Sequence, residues 1–80
     1  MIISRRRIYV DMVDRKAPWT GYFRVVGEVP QDGEVYRLDD ISDELKAKVI
    51  AEAFVKSDPV GHTACVYDWT GKIIHSVGTL

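Results

Sequence analysis

The chain has 80 residues, of which 46 % are hydrophobic and 29 % are charged, and its formal net charge is −1. This length predicts a single small domain, residues 1–80, with one modest core and little room for a deep catalytic cleft. The composition excludes an intrinsically disordered chain, and the near-zero charge disfavours a dedicated binder of duplex nucleic acid. The single cysteine, Cys65, excludes an intrachain disulfide.

Three strands are predicted in the first half of the chain. Residues 6–13 alternate, with Ile8, Val10 and Met12 on one side, and this period of two is typical of a strand. A second strand is predicted over residues 19–29. A tight turn at residues 30–33 follows, because proline presets φ and glycine accepts positive φ. Residues 34–38 then form a short third strand.

An amphipathic helix is predicted over residues 42–57. Ser42 is the expected N-cap, and Asp43 and Glu44 suit the positive end of the helix dipole. Apolar residues recur at a spacing of four and define the predicted core-facing stripe, which is widened by two further residues: Ile41, Leu45, Val49 and Ala53, with Ile50 and Phe54.

The chain is predicted to end in a hairpin of residues 61–69 and 72–77, joined by a type I turn with Gly71 in the left-handed position. That register places Asp68 opposite Lys72, Val66 opposite Ile74, and Cys65 opposite His75. The order β-β-β-α-β-β predicts an α+β fold of two layers, an antiparallel sheet with one amphipathic helix packed on one face. The expected sheet contribution to the core is Ile8, Val10, Phe23, Val25, Leu38, Val66 and Ile74.

The sheet face away from the helix is expected to be a contact surface. It would carry Tyr9, Tyr22 and Tyr67 together with Arg24, where a solvated face should carry mainly polar residues. Tyrosine is enriched among the residues that dominate binding energy at interfaces. The competing interpretation is that scattered surface apolar residues are ordinary and that large strand side chains merely raise β propensity.

Charge is distributed unevenly along the chain. Residues 1–37 carry a formal charge of +2 and residues 38–80 a charge of −3. The acids concentrate in a run of four, which we predict to contact a basic partner surface: Asp39, Asp40, Asp43 and Glu44. The alternative is a solvated helix N-terminus with dipole-matched acids.

The sequence offers little catalytic or ligand-binding chemistry. Cys65 and His75 resemble a nucleophile and base, but a cysteine enzyme also needs an orienting group and an oxyanion hole. The set His62, Cys65 and His75 lacks the four ligands of a structural zinc site, and no phosphate-binding glycine pattern is present. We therefore predict a protein that is not an enzyme and that uses no metal and no cofactor.

The final hairpin, with Asp68, Gly71, Lys72 and Ile73, resembles that of small β-α-β domains of bacteria and phages. In size and acidity the chain is similar to the small inhibitors that phages carry, among them anti-CRISPR proteins. This resemblance implies a protein-binding module that occludes the surface of a host defence complex, itself a nucleic-acid-binding assembly.

The predicted partner is thus a protein, and a homodimer through the open sheet face is a second prediction. The alternative function is a domain for single-stranded nucleic acid that uses the arginine and tyrosine face together with Arg5, Arg6 and Arg7. No apolar run is long enough to span a membrane, so we expect no membrane contact. The expected location is the cytoplasm, which would be the host cytoplasm for a phage-encoded protein.

Overall fold

The structure is a computed structural model that describes residues 14–58 and 60–78. These residues form strands β1 (Phe23–Val29) and β2 (Glu34–Ile41), helix α1 (Glu44–Ser57), and strands β3 (Thr63–Tyr67) and β4 (Ile73–Val77). The predicted α+β class, the antiparallel sheet and the order of strands and helix are confirmed. The strand predicted over residues 6–13 lies outside the described residues.

Within the described residues the sheet order is β2-β1-β3-β4, and every neighbouring pair is antiparallel. Strands β1 and β2 form a hairpin that closes at Val29↔Glu34, and Gly33 takes a φ of 70° in the predicted turn. Only glycine adopts that backbone conformation without steric cost.

Strand β2 runs three residues further than predicted. The extension includes Asp39 and Asp40, although aspartate is depleted in sheets. The structure continues the pairing through a bulge at Val25/Val26, after which Val25 pairs with Asp39 and Arg24 pairs with Asp40. Arg24 lies opposite Asp40 on the neighbouring strand and forms an ion pair with it. This ion pair compensates the charge of Asp40, so the aspartate is tolerated within the strand.

Helix α1 begins two residues later than predicted. Its N-cap is Asp43 instead of Ser42, and the Asp43 carboxylate accepts the backbone N–H of Lys46 at 3.1 Å. At the other end, the backbone N–H of Asp58 donates to the carbonyl of Val55, and the predicted end at residue 57 is confirmed.

The face of the helix that packs on the sheet differs from the predicted one. Leu45 and Val49 are 74 % and 63 % exposed, and Ala53 is exposed as well, so these three residues of the predicted stripe point to solvent. The other three predicted residues, Ile41, Ile50 and Phe54, are confirmed as packed against the core. The helix residues buried in the core are Ala47, Ala51 and Val55, with Ile50 and Phe54 packed against it. Ala47 and Ala51, at the centre of the buried face, lie roughly half a turn of the helix from Leu45 and Val49, which were predicted there.

Small residues explain this orientation. The alanines let the helix approach the sheet closely, and Gly27 of β1 leaves room for the ring of Phe54. A Cβ atom at residue 27 would lie 2.7 Å from that ring. The five predicted sheet residues that the structure describes are confirmed in or against this core: Phe23, Val25, Leu38, Val66 and Ile74.

The opposite face of the sheet carries a second, smaller cluster of buried residues, which consists of Val26, Val35 and Tyr67. Residues 14–17 run against this face before β1 begins. The carbonyl of Asp14 accepts a bond from Arg24 at 2.9 Å, and the backbone N–H of Ala17 donates to the carbonyl of Asp68 at 3.1 Å. The sheet therefore buries apolar side chains on both faces.

The Arg24–Asp40 pair generates a stability prediction. Asp40→Ala leaves a buried guanidinium without its carboxylate and should lower the free energy of unfolding by about 3 kcal/mol. Asp39→Ala, on the neighbouring exposed position, is the control and should change it by less than about 0.5 kcal/mol. Chemical denaturation measures both values. Equal effects of the two substitutions would contradict the role given to the pair.

The orientation of the helix generates a second prediction. Ala47→Leu adds volume at a position that is fully buried and should destabilise the fold by about 2 kcal/mol. Leu45→Ala removes volume from an exposed position and should change stability by less than about 0.5 kcal/mol. The same denaturation measurement distinguishes the two faces, because the face predicted from the sequence requires Leu45→Ala to be the costly substitution.

Candidate functional site

The four predicted acidic contact residues lie where β2 ends and the helix begins, but each of them has a structural partner. Asp40 is bound to Arg24, Asp43 caps the helix, and Glu44 pairs with Lys48 at 3.0 Å. Asp39 is exposed, and its carboxylate accepts the backbone N–H of Asp40 at 2.8 Å. Asp39, Asp43 and Glu44 nevertheless give this corner of the surface an acidic character.

The predicted tyrosine and arginine surface is only partly present. Tyr67 is 7 % exposed, and its burial raises the pKa of its hydroxyl. Arg24 is equally buried, and its hydrogen bond to the Asp40 carboxylate raises the pKa of the guanidinium. Neither side chain is presented at the surface, and the carbonyl of Asp14 accepts a bond from Arg24 on this side of the sheet. Tyr22 is half-buried, and Tyr9 lies outside the described residues.

The described surface instead presents aromatic rings at one end of the sheet. Trp19 is 59 % exposed and Trp69 is 37 % exposed. The ring of Trp19 meets that of Tyr22 edge to face at a centroid distance of 5.1 Å, and Trp69 meets Phe23 in the same manner at 5.8 Å. Such edge-to-face contacts hold large rings in fixed orientations. We call these four residues the aromatic end.

The backbone explains why both tryptophans lie at this end. Trp19 belongs to the turn that leads into β1, where the N–H of Tyr22 donates to the Trp19 carbonyl at 3.0 Å. Trp69 follows the last residues of β3. Because Arg24 pairs with Tyr67, the start of β1 and the end of β3 lie next to each other at the same end of the sheet. A tryptophan inside a turn has no sheet face on which to bury its ring.

The turn that carries Trp69 is held by Asp68. Its carboxylate accepts the backbone N–H and the hydroxyl of Thr70 and the backbone N–H of Lys72, at 2.7–3.0 Å. These bonds, that of the Thr70 hydroxyl foremost, lower the pKa of the Asp68 carboxyl. These bonds fix the conformation of the turn that carries Trp69. The predicted pairing of Asp68 with Lys72 is confirmed, since the backbone N–H of Asp68 donates to the carbonyl of Lys72 at 2.9 Å.

Charged side chains of both signs lie on the β2 side and on the β4 side of the sheet near the aromatic end. On the β2 side lie Asp39 and Asp43, since Phe23 pairs with Ile41 at the end of that strand. On the β4 side lie the exposed Lys16 and Lys72, and a Cβ atom at Gly71 would lie 4.0 Å from the Cβ of Lys16. The carboxylates of Asp14 and Asp68 lie beside them, since they accept the backbone N–H groups of Lys16 and Lys72. The outer strands are separated by three inter-strand spacings, or about 14 Å.

The sequence contained a signal for this site that its interpretation missed. Trp69 stands in a turn next to Thr70 and Gly71, and Trp19 follows Pro18. Turn residues lie at the surface, so a tryptophan among them is a large apolar side chain without a predicted place in the core. Assigning Trp19 to the start of a strand concealed this.

The predicted pairing of Cys65 with His75 is wrong. A bulge between Val66 and Tyr67 shifts the register, so Cys65 pairs with Ser76, His75 with Val66, and Tyr67 with Ile73. Consecutive residues of a strand point to opposite faces. His75 therefore lies on the helix face, where its Nε2 is 3.5 Å from the Glu52 carboxylate, and Cys65 lies on the other face.

No protein-family model, curated protein or solved structure matches this chain. In the part of the chain that the structure describes, no helix has both the length and the apolar character needed to cross a membrane.

The chemistry of Cys65 can be tested directly. Burial raises the pKa of its thiol, and the nearby Glu28 carboxylate acts in the same direction. The thiolate should therefore form at a higher pH than in the unfolded chain, and alkylation of the native protein near neutral pH should be slower. A pH series of alkylation rates for native and denatured protein measures this. Faster alkylation of the native protein below neutral pH would contradict it.

Proposed function

We propose that this protein is a non-enzymatic protein-binding module that uses the aromatic end to cover part of a partner's surface. The observation that supports this most strongly is the exposure of Trp19 and Trp69 at one end of the sheet. Tryptophan is among the residues that most often dominate interface binding energy. A chain of 80 residues that leaves two such rings in water has a large apolar area available for a partner.

The setting of the rings supports a specific contact. Both tryptophans are braced by another ring, and the turn behind Trp69 is held by three bonds to Asp68. A pre-ordered surface loses less conformational freedom on binding than a mobile one. The flanking acids and lysines would orient a partner of complementary charge, because charge complementarity favours one orientation and opposes others.

The non-enzymatic part of the proposal is supported by the placement of the reactive side chains. Cys65 and His75 lie on opposite faces of the sheet and cannot act as a nucleophile and its base. The more specific role, a phage-type inhibitor that occludes a host defence complex, is supported by the size and acidity of the chain. In such an inhibitor the acidic corner at Asp39, Asp43 and Glu44 would contact a basic surface of that complex.

The alternative function, binding of single-stranded nucleic acid, has less support. It requires exposed tyrosine and arginine side chains on the sheet, whereas Tyr67 and Arg24 are buried. Oligonucleotide binding at low and high salt tests it, since binding through phosphate contacts weakens steeply with salt.

The proposed surface can be tested by affinity capture with three baits in parallel: the wild-type protein, the double variant Trp19→Ala/Trp69→Ala, and Leu45→Ala. Leu45 is an exposed apolar residue on the outer side of the helix and serves as the matched control. Loss of both rings should reduce capture of the specific partner at least about 10-fold, whereas the control should retain it.

Quantitative mass spectrometry of the captured proteins, followed by calorimetry with the purified partner, measures the effect. Circular dichroism of each bait establishes that it is folded. A partner that binds all three baits equally well would contradict the assignment of the aromatic end.

A further inference from the structure

We draw no further inference here: the strongest candidate, the outer edge of β4 at one side of the described sheet, where Ile73 and Ser76 are exposed, carries nothing because no contact in the described part of the chain shows what would cover it.

Discussion

The ion pair between Arg24 and Asp40 is the interaction on which the rest of the described structure depends. The guanidinium donates to both carboxylate oxygens of Asp40, at 2.7 and 2.9 Å, and its third bond goes to the carbonyl of Asp14 at 2.9 Å. One side chain of β1 thereby joins β2 and the segment that precedes the sheet. A bidentate pair of this kind fixes geometry as well as charge.

This constraint gives the sheet two buried faces in a chain of only 80 residues. The helix covers one face through small residues, and residues 14–17 lie against the other. The same arrangement leads the chain directly to Trp19, because the segment that Arg24 holds continues into the turn before β1. The position of the proposed binding surface is therefore a consequence of how the second face is covered.

Sequence periodicity predicted the class of fold, the helix limits to within two residues, and the two hairpin turns. It did so because alternation, capping residues and turn chemistry are local properties of the chain. It assigned Leu45, Val49 and Ala53 wrongly to the buried face of the helix, since Leu45 and Val49 form as regular a stripe as Ala47, Ala51 and Val55. Hydrophobicity alone does not reveal that the sheet requires a close approach by alanine.

The candidate site was predictable only in part. Both bulges are set by pairing across the sheet, so a local sequence pattern does not reveal them. The separation of Cys65 from His75 and the extension of β2 to Ile41 were for this reason not predicted. The four acids lie together where β2 ends and the helix begins, but the structural partners of their carboxylates depend on tertiary contacts. The aromatic end was predictable from the two tryptophans, because a tryptophan that lies in a turn is expected to be exposed.

The central claim is that residues 14–17 belong to the cooperative fold and cover the second face of the sheet. Hydrogen exchange at the backbone N–H of Ala17 tests it most directly, because this group is buried and bonded to the carbonyl of Asp68. The account predicts exchange at least about 100 times slower than in an unstructured peptide. Exchange of the Ala17 amide at the unstructured rate, in a protein whose β1 amides are protected, would contradict it.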